Sequence, residues 1–394
     1  MITLSFEISG WRCCFDSAKQ WIDRLESSPP ISVVIPIFNG YEHVSRLLRD
    51  QDLWANSASI VLINDCSTDP QIEELLFFVK RALPNVVLVT NRRNLGFVKS
   101  VNIGIQKIPP DNDIVILNSD AHPLPGWLHQ LASCAYSFDS VATVCPLSNS
   151  AGFFSFLTPN HGQPLPPDWL PSLVGNLIML CAPQYNETAP VTSGFCWYLT
   201  SAARDRVGLL DELLVRRGYG EESDYCLRAV NSGFKNLVAL SCFVEHVGGL
   251  SFMGDRTTLK RVNSSIVKAL HPDFKKRLIR YEADSCIHDL SHTAKGLIEW
   301  GVFDEPMNLL SAPLDQICFV GWAKKKYLLQ IDPSGAPLAG TLYYPFDELT
   351  ANELVEFVVY ALFAYRPLRV AMPASCDSVQ LVERAARLIG VEVN

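Results

Sequence analysis

The sequence predicts an α/β fold, with a mostly parallel sheet covered by helices on both faces. Short runs rich in Val, Ile and Leu alternate with segments of helical periodicity from Ile31 to Tyr136, a pattern typical of parallel sheets. Polar residues follow directly after these runs, at the strand ends where ligands bind in such sheets. With 394 residues, 48% hydrophobic and 19% charged, the chain has the composition of a folded protein.

The apolar runs and the periodic segments give the order of elements. A short amphipathic helix is predicted within 11–26, followed by a linker that ends at Pro30. Strands are predicted at 31–36, 59–63, 86–89, 113–117, 141–144, 191–200 and 237–244, and helices from 44 onward and at 71–81, 98–107, 127–136 and 223–232. A loop rich in Pro, Ser and Asn runs from 146 to about 190, and long irregular stretches of this kind often cover a substrate.

A second α/β pattern lies near the C-terminus. After a polar, helical stretch at 255–295, the sequence predicts strands at 317–321, 327–331 and 368–372, helices at 351–364 and 377–389, and a last strand at 391–394. We therefore expect an N-terminal helical extension and linker (1–30), a main α/β domain (31–295) and a C-terminal α/β segment (296–394). Because the chain ends where a strand begins, it is expected either to be a fragment of a longer multi-domain protein or to complete a small appendage there.

Charge and cysteine usage restrict the classes of partner. The net charge of −8 argues against nucleic acid as a partner. None of the twelve cysteines forms a Cys-x-x-Cys pair, a pattern that favours reduced thiols over disulfides or a zinc site. The N-terminus lacks the pattern of a signal peptide, and no apolar run reaches the length of a membrane span. These features predict a cytoplasmic protein.

Asp120 is the first candidate for chemistry, since Asn118-Ser119-Asp120 directly follows an apolar run. A carboxylate at a strand end can bind Mg²⁺ or Mn²⁺ together with phosphate oxygens. The alternative is that Asp120 merely begins a turn before Pro123. His246 ends another apolar run and would be a second ligand that favours Mn²⁺ over Mg²⁺; otherwise it is an ordinary surface histidine.

A second acidic cluster, Glu221-Glu222-Ser223-Asp224, opens a predicted helix. Acidic residues are favoured in a first helical turn by the helix dipole, and Asp224 can form a salt bridge with Arg228 four residues later. Glu222 is predicted to lie just before the helix, where a carboxylate can accept a proton from an attacking hydroxyl. With a cation at Asp120, this predicts metal-dependent transfer from an activated phosphate donor.

Two further segments point to a nucleotide. Asp65 follows a strand and can accept a hydrogen bond from a nucleobase N–H or a ribose hydroxyl, unless this segment serves only as a helix cap through Thr68 or Asp69. The stretch Asn94-Leu95-Gly96-Phe97 is expected to place a backbone amide near the nucleotide. Arg92 and Arg93 would bind phosphate, or else are solvated surface charges.

In this order the motifs resemble the inverting family 2 glycosyltransferases of the GT-A fold, and most closely the bacterial, rhamnosyltransferase-like branch that builds surface polysaccharides. The resemblance covers about residues 31–255. The matching segments are Val34-Ile35-Pro36-Ile37-Phe38-Asn39-Gly40, Asn64-Asp65-Cys66-Ser67-Thr68-Asp69, Asn94-Leu95-Gly96-Phe97 with Asn102, Leu117-Asn118-Ser119-Asp120, Gly126-Trp127-Leu128, Gly220-Glu221-Glu222-Ser223-Asp224 and His246-Val247-Gly248-Gly249.

The resemblance implies a role for each candidate residue. Asp120 would bind the cation as the last position of an Asp-x-Asp motif, and His246 would be a further metal ligand. Glu222 matches the catalytic base, with Glu221 and Asp224 shaping the acceptor site. Asn118 replaces the first Asp of the motif, and Glu222 is one methylene longer than the usual Asp, so Asp224 is an alternative base. The nucleotide-sugar would contact Pro36, Phe38, Asn39, Asp65, Asn94, Gly96, Phe97, Asn118, Ser119 and Asp120.

The expected reaction is transfer of a hexose-type sugar, with inversion, from a UDP- or dTDP-linked donor to a hydroxyl of a growing or lipid-linked bacterial surface glycan (O-antigen, lipopolysaccharide or capsule type). Mn²⁺ or Mg²⁺ would be the cofactor. Peripheral association with the inner face of the membrane or with other polysaccharide-assembly proteins is also expected. One alternative is a sugar nucleotidyltransferase, although the Gly-rich basic loop of that class is replaced here by Pro36 to Tyr41. The other is a catalytically degenerate glycan-binding module.

Overall fold

The computed structural model describes residues 18–156, 186–213, 220–248 and 256–288, together with parts of 164–178, 290–291 and 316–393. Nine strands form the main sheet: β1 (Ile31–Ile37), β2 (Ser59–Asn64), β3 (Val86–Thr90), β4 (Asp113–Leu117), β5 (Ala121–Pro123), β6 (Val141–Leu147), β7 (Asn186–Ala189), β8 (Cys196–Leu199) and β9 (Lys235–His246). Their order is β3-β2-β1-β4-β8-β6-β9-β5, and β7 pairs with β9. Strands β3, β2, β1 and β4 are parallel to one another, as are β6 and β9, whereas β5, β7 and β8 pair antiparallel. The predicted fold class is confirmed.

The described helices of the main unit are α1 (Ala18–Ser27), α2 (Tyr41–Leu47), α3 (Gln51–Asn56), α4 (Pro70–Ala82), α5 (Phe97–Ile105), α6 (Trp127–Ala135), α7 (Ser201–Val207), α8 (Glu221–Asn231), α9 (Arg256–Leu270) and α10 (Phe274–Asp284). They pack on both faces of the sheet. One core cluster includes residues of α2, α4 and α6, and a second includes residues of α5 and α8. The approach of α5 to β1 is close enough that a methyl group at Gly104 would lie 2.4 Å from Val34 Cγ1.

Several elements differ from the sequence-based expectation. The short strand β5 and helices α3 and α7 were not predicted, and the expected strand 191–200 is restricted to Cys196–Leu199, with Asn186–Ala189 as a separate strand. Helix α8 begins at Glu221, so Glu222 lies in the first helical turn and not before the helix. The reason is that Gly220 starts the helix in a left-handed conformation (φ 114°), and the helix dipole favours the carboxylates that follow.

The C-terminal part contains a second, five-stranded sheet of order β12-β11-β10-β13-β14. Its strands are β10 (Gln316–Trp322), β11 (Lys326–Asp332), β12 (Tyr344–Pro345), β13 (Arg369–Ala371) and β14 (Glu392–Val393), and helix α11 spans Val379–Ile389. The expected last strand therefore forms, as an edge strand parallel to β13. Most of the predicted helix 351–364, most of the loop after 156 and the first part of the predicted helix 11–26 lie outside the described residues, although Val359 and Leu362 are described as helical.

The C-terminal helix α11 contacts the N-terminal helix α1. Arg384 pairs with Asp23 (2.5 Å) and with Glu26 (2.7 Å), and Val382 and Ala385 belong to the same apolar cluster as Ile22. The division into 1–30, 31–295 and 296–394 stays a prediction.

Two further expectations concern thiols and membrane spans. The cysteines at 66, 134, 145, 196, 226 and 242 are free thiols. Burial raises the pKa of Cys134 well above its ordinary value, so that thiol remains protonated. In the part of the chain that the structure describes, no helix is both long enough and apolar enough to cross a membrane.

Candidate active site

The loops that follow β1 and β2 are joined by the side chain of Asn39. Its Oδ1 accepts hydrogen bonds from the backbone N–H groups of Thr68 (2.8 Å) and Asp69 (3.1 Å), and its backbone is left-handed (φ 59°). Asp69 caps α4 by accepting from Gln71 N (3.0 Å). The capping role that the sequence allowed for this segment therefore belongs to Asp69, which leaves Asp65 for another task.

Asp65 is 3% exposed and organises the loop after β3. Its Oδ1 accepts from Asn91 Nδ2 and Leu95 N, and its Oδ2 accepts from Gly96 N, each at 2.8 Å. A carboxylate has about four acceptor positions, so one position on Oδ2 remains for a ligand. The role of Asp65 towards a nucleotide stays a prediction.

The other residues predicted to contact the nucleotide differ in exposure. Asn94 is exposed, as are Arg92 and Arg93, whereas Pro36, Phe38 and Phe97 are partly buried. The exposure of the two arginines agrees equally with phosphate binding and with a solvated surface.

Asp120 and His246 are brought together by the backbone. Strands β5 and β9 pair antiparallel with Ala121 opposite His246, and Val247 N donates to the carbonyl oxygen of Asp120 (3.1 Å). Asn118 N donates to the carbonyl of Phe195 (2.7 Å) and so fixes the start of this segment. As a result, Asp120 Oδ1 lies 3.4 Å from His246 Nε2.

The tautomer of His246 follows from its other nitrogen. Nδ1 lies 2.7 Å from the carbonyl oxygen of Ser150, and because a carbonyl can only accept, Nδ1 must carry the hydrogen. In the neutral ring, Nε2 then presents its lone pair towards Asp120. The ring of Phe195 stacks on the imidazole, with centroids 4.8 Å apart and planes 20° apart, so the orientation of the ring is held as well.

The carboxylate of Asp120 is buried and ionised. It is 4% exposed, and its Oδ1 makes no hydrogen bond to any residue that the structure describes. Burial raises the pKa of Asp120, but the interaction with His246 outweighs burial and brings the pKa below its ordinary value. An anionic oxygen that faces a nitrogen lone pair needs a positive charge between them, which a proton on Nε2 or a cation would supply.

These two side chains fit a divalent cation. A ligating histidine usually donates its second N–H to a carbonyl or carboxylate, as His246 does to Ser150. Among the residues that the structure describes, no group of three or more His, Cys, Asp or Glu side chains is placed to hold a metal. Ions such as Mg²⁺ are commonly bound by one or two carboxylates together with substrate phosphates, and a pair of protein ligands suits that mode.

Glu222 lies beside the segment that contacts His246. Its Oε2 accepts from Gly220 N (3.3 Å), and its side chain is partly exposed. A methyl group added at Gly194 would lie 3.6 Å from Glu222 Cβ, 3.9 Å from Cγ and 4.0 Å from Oε2. Because Gly194 precedes Phe195, one short segment lies beside Glu222 at one residue and stacks on His246 at the next.

Asp224 is engaged within the protein. Its Oδ2 accepts from Arg228 Nε (2.8 Å), which confirms the expected helical salt bridge, and its Oδ1 lies 3.0 Å from His271 Nε2. Asp224 and Glu221 are both buried, in contrast to Glu222. The catalytic assignments stay predictions, but of the three carboxylates Glu222 is the most accessible.

A pair of histidines lies where α2 packs against β5. His43 Nδ1 is 3.5 Å from His122 Nε2, and burial, with nearby Arg46 and His43, lowers the pKa of His122 to about 4. Arg46 pairs with Glu245 (2.5 Å). These contacts attach α2 to the strand pair that carries His246.

Four residues near the site were missed by sequence reasoning: Asn149, Ser150, Gly194 and Phe195. Asn149 and Ser150 come two and three residues after the end of β6, so they belong to the same class of strand-end polar residues as Asn64 and Asn118. That position was the one available signal, and it was obscured because the whole stretch after 146 was interpreted as a substrate-covering loop. Gly194 and Phe195 carry no local signal.

Comparison with known proteins identifies the domain. Residues 32–200 match the model of glycosyl transferase family 2, and this part of the chain, from β1 through β8, belongs to that family. Asp120 lies inside the matched region, whereas Glu222 and His246 lie beyond it. The family match argues against the sugar nucleotidyltransferase alternative; the polysaccharide branch stays a prediction.

Two curated relatives and one solved structure are similar to the chain. An undecaprenyl-phosphate 4-deoxy-4-formamido-L-arabinose transferase of Edwardsiella ictaluri (strain 93-146) is 30% identical over 119 residues, which cover 29% of this chain and 36% of that protein. An uncharacterized glycosyltransferase of Haemophilus influenzae (strain ATCC 51907 / DSM 11121 / KW20 / Rd) is 24% identical over 125 residues, 30% of this chain and 37% of that protein. The chain thus spans about a third of the length of these relatives. The crystal structure of GalNAc-T7 with UDP, GalNAc and Mn²⁺ aligns with a TM-score of 0.48 at 14% identity, covering 88% of this chain and 77% of that one.

Proposed function

We propose that this protein is an inverting glycosyltransferase that needs a divalent cation and uses a nucleoside diphosphate sugar as donor. The observation that carries the proposal is the pair formed by Asp120 and His246, whose Oδ1 and Nε2 atoms are 3.4 Å apart. The family 2 domain at residues 32–200 supports the reaction class, and the pair supports the need for a cation.

Asp120 and His246 would hold the cation, and when bound it would neutralise charge on the departing diphosphate. Asp120 contributes a carboxylate that is ionised at neutral pH, because its pKa lies below the ordinary value. His246 contributes an imidazole whose Nδ1 hydrogen is directed to Ser150. A nitrogen ligand favours Mn²⁺ over Mg²⁺, so we expect sugar transfer to be faster with Mn²⁺ than with Mg²⁺.

Glu222 is proposed as the base that takes the proton from the acceptor hydroxyl as that oxygen attacks the anomeric carbon. The bond to the diphosphate breaks on the opposite side of the sugar, so the anomeric configuration inverts. The partial exposure of Glu222 favours it over Asp224, whose two oxygens are bound by Arg228 and His271.

The donor and acceptor are proposed by chemical class. The donor is a UDP- or dTDP-linked sugar, placed against Asp65, Gly96 and the segment Asn118–Asp120. The acceptor is a hydroxyl of a growing bacterial surface glycan. Because one relative is named for undecaprenyl phosphate, lipid-linked acceptors belong in the test, and peripheral placement at the inner face of the cell membrane is part of the proposal.

The test compares transfer by the wild type, Asp120→Asn and Glu222→Gln, with Mn²⁺ or with EDTA. We expect EDTA and Asp120→Asn to abolish both donor hydrolysis and transfer. Glu222→Gln should lose transfer by at least about 10²-fold while it still binds Mn²⁺ and donor. NMR of the product reports the anomeric configuration. Near-normal transfer by both variants would refute the assigned roles. Donor binding without turnover on any acceptor in the wild type would favour the degenerate glycan-binding alternative.

A further inference from the structure

His246 is held by a polar turn that follows β6. Asn149 is 4% exposed; its Oδ1 accepts from His246 N (2.8 Å), and its Nδ2 donates to His246 O (3.0 Å). The next residue, Ser150, accepts from His246 Nδ1 through its carbonyl oxygen (2.7 Å). Two consecutive residues thus bind the backbone and the ring of one histidine.

The turn is itself fixed in position. Phe156 N donates to Ser148 O (2.7 Å), and Ser148 N donates to Phe154 O (3.1 Å). Ala151 N donates to Ser155 Oγ (2.9 Å). Because these bonds close the turn on both sides of Asn149, the amide of Asn149 determines where the His246 backbone lies.

We infer that Asn149 is a positioning residue for the divalent cation. It holds His246 where Nδ1 reaches the Ser150 carbonyl and Nε2 faces Asp120, and so prepares the ligand before the cation arrives. This inference rests on the proposed function, since it requires His246 to bind the cation. Loss of an outer hydrogen bond to a ligating histidine typically weakens metal binding by about 10–100-fold.

The test measures binding of Mn²⁺ alone to the full chain, by EPR of the free ion, without a nucleotide. Asn149→Ala is expected to bind Mn²⁺ about 10–100-fold more weakly than the wild type. Asn149→Asp keeps an acceptor for His246 N but loses the donor to His246 O, so its affinity should also fall. Thermal unfolding in EDTA shows whether each variant is folded.

Asn102 offers a matched control. Its Oδ1 accepts from Leu210 N (3.1 Å) and its Nδ2 donates to Leu210 O (2.9 Å), so it makes the same pair of bonds to a residue that does not bind the cation. Asn102 is about as buried as Asn149. Asn102→Ala should keep the Mn²⁺ affinity of the wild type even where its unfolding temperature falls.

The outcomes separate the inference from the proposed function. If His246→Ala loses Mn²⁺ binding while folded Asn149→Ala keeps it, the positioning role is overturned and the metal pair stands. If His246→Ala binds Mn²⁺ as the wild type does, both are overturned. If Asn149→Ala does not fold, Asn149→Asp decides: unchanged affinity in that variant overturns the inference, and a fall relative to Asn102→Ala supports it.

Discussion

Replacing Gly194 with alanine adds one methyl group beside the proposed base. That methyl would lie 3.6 Å from Glu222 Cβ and 4.0 Å from Glu222 Oε2, which are ordinary contact distances, so no atom has to move. The backbone of Gly194 is not in the left-handed region, and an alanine there is unstrained. We therefore expect the free energy of unfolding to change by less than about 1 kcal/mol, with a small increase favoured because alanine restricts the unfolded chain.

The effect on activity should be much larger than the effect on stability. An acceptor hydroxyl must approach the base oxygen to about 2.6–3.2 Å, and the new methyl occupies space next to that oxygen. A misplacement on the order of 1 Å can cost about 10²-fold in rate. We expect kcat/KM for the acceptor to fall about 10²-fold, while KM for the donor is little changed, because the three atoms nearest the methyl all belong to Glu222.

A double-mutant cycle gives the sharpest assay. If the methyl acts by blocking access to Glu222, then Gly194→Ala should add little to the loss already caused by Glu222→Gln, since both changes disable the same step. Initial rates at saturating donor would be compared for the wild type, both single variants and the double variant. Retention of more than half of the wild-type kcat/KM by Gly194→Ala would refute the placement of the acceptor beside Glu222. The placement would also be refuted if the loss in the double variant equalled the product of the losses in the two single variants.

Three further predictions test the scaffold. Gly220→Ala puts a methyl 3.1 Å from Val267 Cγ2 on a backbone with φ 114°. The strain should lower the free energy of unfolding in urea by about 1–3 kcal/mol. It should also lower kcat, because α8 begins at this residue. Tyr198→Phe removes a 2.5 Å hydrogen bond to the fully buried Asp113 carboxylate and should cost about 1.5–3 kcal/mol in the same assay, with KM for the donor unchanged. Burial lowers the pKa of His129 to about 4, below an unfolded value of about 6.5, so its contribution to stability is present above pH 6.5 and is lost as pH falls towards 4. His129→Gln should therefore shrink the loss of unfolding free energy between pH 8 and pH 5 by about 2 kcal/mol, and an unchanged difference would contradict the shifted pKa.

The strands of the parallel half of the sheet were predictable because their signal is local. Residues 33–37 of β1 and 114–117 of β4 are uninterrupted apolar runs, and burial on both faces requires such runs in a parallel sheet. Strand β5 was not predictable in this way, because it has three residues, one of them Pro123. It exists through its pairing with β9.

The candidate site shows the same division between local and long-range information. Asp120 and Glu222 could be proposed because each belongs to a short motif with a recognisable neighbourhood. Asn149 could not, because its bonds reach His246, 97 residues away in the chain, and nothing in the residues around either one records that contact. Gly194 was missed because it carries no side chain that could signal a function. Its lack of a side chain becomes relevant only when the structure places it beside Glu222.

The register between β5 and β9 also constrains how related chains can vary. Glu245 pairs opposite His122 and bonds to Arg46, whereas His246 pairs opposite Ala121, and neighbouring residues of a strand point to opposite faces. One inserted or deleted residue near the end of β9 would exchange these two side chains, sending the imidazole towards α2 and the carboxylate towards Asp120. Insertions and deletions in active homologues should therefore be confined to segments outside this strand pair.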